Sequence, residues 1–145
     1  MKKLLMILTH NRLDCLRLNV EMLIKADALR KFDHVVFLGN AVKGKILEYI
    51  EQIIHTRTDS KYDLIIGPGT RPDGISWMQN QCIERYPGCL YVKVDEDVFV
   101  SKGWPECLFE AYDRYKDRDD LSLITPMLPN NAYGLHRLLS VYYPD

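Results

Sequence analysis

Short β-prone segments alternate with longer segments of helical periodicity along most of the sequence. The β-prone segments are mainly apolar, and the segments between them carry apolar residues three or four positions apart, which is the spacing of one helix face. Strands that alternate with helices through short connections predict a mostly parallel sheet, because each helix crosses the sheet between two strands. We therefore predict an α/β fold, with a Rossmann-like, mostly parallel sheet and helices on both faces. The predicted strands are residues 3–8, 34–38, 62–66, 90–94 and 121–125.

Four apolar stripes mark the predicted helices between and after these strands. A stripe of this kind is the face that a surface helix buries, so we assign all four to core packing. The stripes are Leu13, Leu16, Val20, Leu23 and Ile24; Ile46, Leu47, Ile50, Ile53 and Ile54; Ile75, Met78, Cys82 and Ile83; and Trp104, Cys107, Leu108, Ala111, Tyr112 and Tyr115.

Length and charge restrict the class of protein. A chain of 145 residues is expected to form a single domain, residues 1–145, that is long enough to bury a core. Its formal net charge of −1 indicates neither nucleic acid nor an anionic membrane surface as a partner. No stretch approaches the roughly 20 apolar residues that a membrane span needs. We therefore expect no nucleic-acid partner and no membrane span.

The cysteines and the N-terminal segment bear on the cellular compartment. Cys15, Cys82, Cys89 and Cys107 form no CxxC pair and have no zinc-site spacing. The apolar run at residues 4–8 is shorter than the roughly 7–15 residues of a signal-peptide core, and it fits a first strand better. We expect a cytoplasmic protein with reduced thiols, and peripheral attachment to a membrane stays open.

Three consecutive acids, Asp95, Glu96 and Asp97, follow the fourth predicted strand. An unpaired buried carboxylate is costly, whereas ligands of parallel sheets bind beyond the carboxyl ends of the strands. Side chains alternate along a strand, so we predict Asp95 and Asp97 on one side, roughly 6–7 Å apart along the chain, and Glu96 on the other. Two such carboxylates can hold one hard cation together with substrate phosphates. The sequence therefore predicts a site for Mn²⁺ or Mg²⁺ at this edge, with a solvated turn as the alternative.

The first predicted strand ends in Thr-His-Asn-Arg, residues 9–12. Asn11 caps the following helix, with Asp14 completing a pattern like a capping box, contacts a ligand, or does both. Arg12 either binds a diphosphate near the helix N-terminus or is a solvated surface residue. Arg71, after the third predicted strand, has the same two interpretations.

Gly39, Gly44 and Lys45 have the G-x-x-x-x-G-K spacing of a phosphate-binding P-loop, between a predicted strand and a predicted helix. That motif requires Ser or Thr after the lysine, because the hydroxyl binds Mg²⁺. Ile46 stands there instead and fits the apolar stripe of the helix. We favour a loop glycine followed by a surface lysine, with the P-loop as an alternative.

Two segments, "ILTHNR" near the start and "LYVKVDEDVFV" about ninety residues later, resemble the signatures of GT-A glycosyltransferases, particularly glycosyltransferase family 2. The segment "GISWMQNQCIERYPGCLYVKVDED" is also similar to the helix that leads into the D-x-D strand of that family. Gly74 and Asn80 stand at the matching places, although Gln79 replaces a frequent arginine. The resemblance covers about residues 3 to 105 and implies a GT-A type nucleotide-sugar-binding domain.

The resemblance implies a donor site for a nucleoside-diphosphate sugar. Residues at the end of the first strand would line the base and the phosphates, Asp95 would lie near the ribose or bind the metal through water, and Asp97 would bind it directly. The family usually has an aspartate after the second strand to read the base, and Asn40 takes that place here. The candidate nucleotide-sugar-binding residues are Thr9, Asn11, Arg12, Asn40, Arg71, Asp95 and Glu96, and the candidate metal ligands are Asp97 and Asp95.

The resemblance further implies transfer of a sugar from a UDP- or GDP-sugar to an acceptor that the sequence does not identify. In inverting members the general base lies well beyond the D-x-D motif, in the acceptor-binding half. We assign no catalytic base here, although His136 is one ionisable residue of that region, and we expect part of the acceptor-binding half to be missing. The alternatives are a nucleotide-sugar-binding fragment without turnover and, less favoured, a P-loop-like nucleotide-binding protein.

Overall fold

A computed structural model of the chain describes residues 1–57, 61–69, 73–120 and 123–124. The contacts divide the chain into two compact units, Met1–Gly103 and Trp104–Asp145, which are described separately. The predicted fifth strand, residues 121–125, lies mostly outside the described residues, as do Arg71 and His136.

The first unit contains a four-stranded sheet in which every pair of neighbouring strands is parallel. The order of the strands across the sheet is β3, β2, β1, β4. This confirms the predicted α/β class and the first four predicted strands, each of which continues one or two residues further than its apolar run. The strands are β1 (Lys3–Thr9), β2 (His34–Asn40), β3 (Tyr62–Gly67) and β4 (Leu90–Asp95).

Helices connect the strands as predicted, and a short 3-10 helix at Ala28–Lys31 was not predicted. The third helix packs on one face of the sheet through Met78 and Cys82. The opposite face is also buried, and the first two helices bring buried apolar residues of their own, such as Leu16 and Ile50. The helices of this unit are α1 (Leu13–Lys25), α2 (Lys45–Thr56) and α3 (Asp73–Arg85).

The predicted apolar stripes are correct at their centres and too wide at their ends. Ile24 and Ile83 were assigned to the core but are 47% and 42% exposed. Each follows a buried residue, Leu23 or Cys82, and one step along a helix turns the side chain by about 100°. The buried faces of α1 and α3 are therefore narrower than the predicted stripes.

In the second unit, the structure describes one helix, α4 (Trp104–Tyr115). Its buried residues are Pro105 and Phe109, whereas Cys107 and Tyr115 of the predicted stripe are exposed. The buried face is therefore turned by about one residue from the predicted face.

Over the whole described part of the chain, no helix has the length and apolar character needed to cross a membrane.

Candidate functional site

The carboxyl ends of the parallel strands meet along one edge of the sheet. From β1, the chain adds β2 and β3 on one side and β4 on the other, so the strand order reverses between β1 and β4. Ligands of open α/β sheets bind at such a switch point, beyond the carboxyl ends of the strands. The segments that follow β1 and β4 flank this point, and both were singled out from the sequence.

The three consecutive acids lie where β4 ends and a turn begins. The amide of Val98 donates to the carbonyl of Asp95 at 3.0 Å, so the chain leaves the strand at Asp95. Asp97 is exposed in this turn, whereas Glu96 is only 7% exposed. The inward direction of Glu96 agrees with the predicted alternation. The prediction that Asp95 and Asp97 lie on one side of the same strand is wrong, because the strand stops before Asp97.

Each predicted metal ligand forms an ion pair with a basic side chain. Arg12 Nη1, after β1, lies 2.7 Å from Asp97 Oδ2, after β4, so this pair joins the two segments across the switch point. Lys93 Nζ pairs with Asp95 Oδ1 along β4. The side chains of Arg12 and Asp97 are 55% and 48% exposed. We refer to Arg12, Lys93, Asp95 and Asp97 as the carboxyl-edge cluster.

These carboxylates fit a cation that is shared with a ligand better than one that the protein holds alone. Within the described residues, no group of three or more His, Cys, Asp or Glu side chains could hold a metal ion. Mg²⁺, however, is usually bound by one or two carboxylates together with substrate phosphates and water. Asp95 and Asp97 are partly exposed carboxylates that already attract positive charge. They therefore suit a metal that arrives with a phosphate ligand.

Glu96 and Thr9 contact each other rather than the open edge. The Thr9 hydroxyl donates to Glu96 Oε2 at 2.5 Å, and the His10 amide donates to the same oxygen at 3.1 Å. Thr9 is 1% exposed. Both residues were predicted to line a nucleotide-sugar site, and in the structure both are buried and bonded to each other.

Asn40, at the end of β2, holds the segment that follows β3. Its Oδ1 accepts a hydrogen bond from the amide of Gly69 at 3.1 Å, and the residue is 1% exposed. Its Nδ2 is buried and has no hydrogen-bond partner among the described residues. A Cβ at Gly74 would lie 2.8 Å from Asn40 Oδ1, so a glycine at this place in α3 permits the close approach.

His10 is a residue of the edge that the sequence reasoning did not single out. Its Nδ1 lies 2.5 Å from the backbone carbonyl of Asn40. A carbonyl only accepts hydrogen bonds, so this contact requires the proton on Nδ1. The ring therefore joins the ends of β1 and β2. In the sequence, the position of His10 between two candidate site residues, Thr9 and Asn11, could have indicated this role.

Asn19 of α1 is a second residue that was not predicted. It is fully buried, and its Nδ2 donates to the carbonyls of Asp95 and Val98, at 3.3 and 2.5 Å. These two bonds hold both ends of the turn that contains Glu96 and Asp97. A polar residue inside an apolar helix stripe was the signal in the sequence.

Asn11 does not cap α1. The residue at the N-cap position is Arg12, whose side chain makes no capping hydrogen bond, and the first helical bond runs from the amide of Leu16 to the carbonyl of Arg12. The prediction of an Asn11 cap is wrong because the helix begins one residue later, at Leu13. Asn11 is exposed at the edge, beside Arg12.

The segment that resembles a P-loop has a structural explanation. Ile46 is 8% exposed in the core face of α2, as predicted, and Lys45 is the exposed first residue of that helix. A Cβ at Gly39 would lie 2.5 Å from Val42 Cγ2, so close packing requires this glycine. Gly44 has a φ of +57°, which favours glycine.

A second polar group lies toward the opposite edge of the sheet, and we name Asp63, Arg85 and Tyr86 the amino-edge cluster. Arg85 Nη1 and the Tyr86 hydroxyl both donate to Asp63 Oδ2, at 2.5 and 2.9 Å, and the Leu64 amide donates to Oδ1 at 2.8 Å. Burial raises the pKa of Asp63, but these hydrogen bonds outweigh it and lower the pKa overall. Burial and the bond to Asp63 raise the pKa of Tyr86 to about 12.

Comparison of the sequence with models of known protein families gives no match, and comparison with curated proteins gives no significant match.

Proposed function

We propose that the chain is a metal-dependent glycosyltransferase of the GT-A type, which binds a nucleoside-diphosphate sugar at the carboxyl edge of its sheet and moves the sugar to an acceptor. The observation that supports this most is the ion pair between Arg12 and Asp97. It brings a cation suited to a diphosphate and a carboxylate suited to a metal together at the switch point of a parallel sheet.

Arg12 has two roles in this proposal. Without donor it neutralises Asp97, and with donor it turns to the diphosphate and makes charge-assisted hydrogen bonds to its oxygens. An exposed ion pair contributes only about 0–1 kcal/mol. Arg12 therefore loses little free energy when its guanidinium leaves Asp97 and binds a phosphate oxygen instead. Lys93 likewise neutralises Asp95 when no donor is bound.

Asp97 and Asp95 are the residues that would hold Mn²⁺ or Mg²⁺. When bound, such a cation supplies Lewis-acid stabilisation of the charge that develops on the diphosphate as the sugar leaves. Binding of the metal beside both carboxylates replaces the positive charge that Arg12 and Lys93 provide in its absence. The chain's own contribution is to present two carboxylates and an arginine at one edge.

Asn40 and His10 would act on the base side of the donor. The carboxamide of Asn40 is occupied on its oxygen by Gly69, and its buried amide nitrogen is the remaining donor. Asn40 is 1% exposed, so contact between this nitrogen and a base carbonyl requires a local opening around Asn40. Asn11 and Arg71 remain proposed contacts of the donor, and Arg71 lies outside the described residues.

The test is thermal unfolding of the chain with UDP, GDP, ADP and CDP, each with Mn²⁺, with Mg²⁺ and with EDTA. A nucleotide at about 100 times its Kd stabilises by about 2.7 kcal/mol, which raises Tm by roughly 5–10 °C at this chain length. We expect the largest shifts with UDP or GDP and their loss in EDTA. A shift of equal size in EDTA contradicts the metal role, and no shift with any nucleotide contradicts the proposed function.

Two further measurements separate this proposal from the alternatives. Release of the nucleoside diphosphate from a UDP- or GDP-sugar distinguishes a transferase from a protein that binds the donor without turnover. Lys45→Ala removes the lysine of the P-loop-like segment, and we expect nucleotide affinity to change by less than about twofold because Lys45 is a surface residue. Complete loss of binding in this variant would favour the P-loop alternative.

A further inference from the structure

The middle acid of the three, Glu96, lies in a place that ordinary packing does not favour. A buried carboxylate is costly unless its oxygens are hydrogen-bonded, yet Glu96 is 7% exposed at the point where β4 ends. Its oxygen Oε2 accepts from the Thr9 hydroxyl and from the His10 amide. Both donors belong to β1 or to the residue that follows it, so the side chain ties the β4 turn to the end of β1.

Backbone and helix contacts hold the same turn from two other sides. The amide of Glu96 donates to the carbonyl of Leu8 at 2.8 Å, which continues the β1–β4 ladder past Asp95. Asn19 of α1 donates to the carbonyls of Asp95 and Val98. Hydrogen bonds at residues 95, 96 and 98 therefore hold the turn that contains Asp97.

We propose that Glu96 is a positioning residue. Bound to Thr9 and His10, it fixes the turn in which its two neighbours, Asp95 and Asp97, present their carboxylates, and it does not itself contact the donor. This inference rests on the proposed function. It explains why an acid stands between two metal ligands and why Thr9 is buried, and it reassigns both residues from ligand contact to support of the site. Groups that orient metal ligands typically affect affinity by about 10- to 100-fold.

The decisive variant is Thr9→Val, which removes the hydroxyl with little change of shape and leaves Glu96 with the His10 amide as its donor. The first measurement is amide hydrogen exchange of Glu96 and Val98, whose acceptors are the carbonyls of Leu8 and Asp95. We expect exchange at both amides to rise about tenfold, because local opening becomes easier when a hydrogen bond to a charged group is lost.

The second measurement is affinity for UDP or GDP in the presence of Mn²⁺, well below the melting temperature, where every variant is folded. We expect Thr9→Val to weaken binding by about tenfold. Thr9→Ser, which retains the hydroxyl, recovers most of this loss. A purely structural role would lower Tm in Thr9→Val without changing affinity under these conditions.

Thr56→Val is the matched control, because it makes the same chemical change where the hydroxyl donates to Gln52 and Ile53 carbonyls within α2. We expect no change in either measurement. If Thr9→Val does not fold, Glu96→Gln keeps the shape of the side chain and removes its charge, and we expect effects in the same direction.

The outcomes separate this inference from the proposed function. If the wild type binds nucleotide with metal and Thr9→Val binds equally well, the positioning role is overturned and the proposed function stands. If the wild type does not bind, the proposed function fails, and with it the positioning of a metal site. The exchange measurement tests the role of Thr9 whether or not the wild type binds nucleotide. Unchanged amide exchange at Glu96 and Val98 in Thr9→Val would show that Thr9 does not hold the turn.

Discussion

Two groups of charged side chains lie toward opposite edges of the same sheet and differ in how completely they are bonded. In the amino-edge cluster, Asp63 accepts three hydrogen bonds and is 29% exposed. In the carboxyl-edge cluster, Asp97 and Asp95 each pair with one basic side chain and are about half exposed. The first group ties the end of α3 to β3. In the second, Arg12 and Asp97 join the segments after β1 and β4, and Lys93 and Asp95 pair within β4.

The difference teaches how the same residue types serve structure at one edge and suit a ligand at the other. A carboxylate with three donors and reduced access to water stabilises the fold, because removing one partner leaves the others unpaired. An exposed pair stabilises little, because solvent screens it and its side chains lose conformational entropy. Only the weaker group can exchange its partners for a phosphate and a metal at small cost.

The largest expected effect is the loss of ligand stabilisation in Asp97→Asn. The wild type should gain about 2.7 kcal/mol from UDP or GDP with Mn²⁺ at about 100 times Kd, and the variant should gain almost none, because an amide is a much poorer metal ligand. The free variant should differ from the wild type by less than about 1 kcal/mol, because only an exposed pair is lost. Thermal unfolding with and without ligand measures both quantities.

Glu21→Gln is the control for this result. Glu21 is also an exposed carboxylate in an ion pair, with Lys25 at 2.6 Å, but it lies in the later half of α1, away from the edge where the helix begins. Its variant should keep the full ligand shift. Equal loss of the shift in both variants would mean that net charge, rather than the cluster, determines binding.

Asp63→Asn should have the next largest effect, and of the opposite kind. Asparagine has one acceptor oxygen and no charge, so it cannot serve the Leu64 amide together with Arg85 and Tyr86. Hydrogen bonds to a charged group contribute about 1.5–3 kcal/mol. We expect the free energy of unfolding to fall by about 2 kcal/mol, while the shift with nucleotide and metal is retained. Urea unfolding and the ligand assay measure the two. A stable variant with weakened ligand binding would reverse the roles of the two clusters.

Most of the sheet could be predicted because its apolar runs are continuous. The strands extend past those runs to Thr9 and Asn40, since the backbone ladder continues through polar residues that hydrophobicity does not detect. The side-chain alternation of a strand was extended past the predicted end of the fourth strand, residue 94, to place Asp95 and Asp97. Aspartate is common at the first position of a β-turn, and the turn begins at Asp95.

The candidate site could be predicted in location but not in its contacts. The rule for parallel sheets indicated the carboxyl ends of the strands, and the structure places the ends of β1 and β4 on neighbouring strands there. The pairing of Arg12 with Asp97 joins residues 85 positions apart and depends on the tertiary structure. The contact of Glu96 depends on the tertiary structure in the same way. Alternation placed Glu96 on the side away from Asp95 and Asp97, but its partner, Thr9, comes from another strand.

The acid dependence of stability gives a finer test of the amino-edge cluster. Asp63 has its pKa lowered from the ordinary 3.8, so it stabilises the fold above that value and loses this effect as the pH falls through its folded pKa. The difference in unfolding free energy between the wild type and Asp63→Asn should be constant down to about pH 5 and should shrink below the unfolded pKa. A difference that stays constant far below pH 3.8 would show that folding does not lower the pKa of Asp63.

The smallest expected effect comes from Tyr86→Phe and appears at alkaline pH. The pKa of Tyr86 rises from 10.0 to about 12 in the fold, chiefly by burial and then by the bond to Asp63. A group with a raised folded pKa stabilises fully below its unfolded pKa, so the contribution of the hydroxyl is present below pH 10 and is lost toward pH 12. The variant should be less stable by about 1 kcal/mol near neutral pH, and this difference should shrink over the same interval. Tyr115→Phe, at an exposed tyrosine of α4, is the control and should change the stability near neutral pH by less than about 0.5 kcal/mol. If Tyr86→Phe lost stability in parallel with the wild type up to pH 12, the hydrogen bond from Tyr86 to Asp63 would contribute nothing. The contrast between the two clusters would then depend on the bonds from Arg85 and from the Leu64 amide.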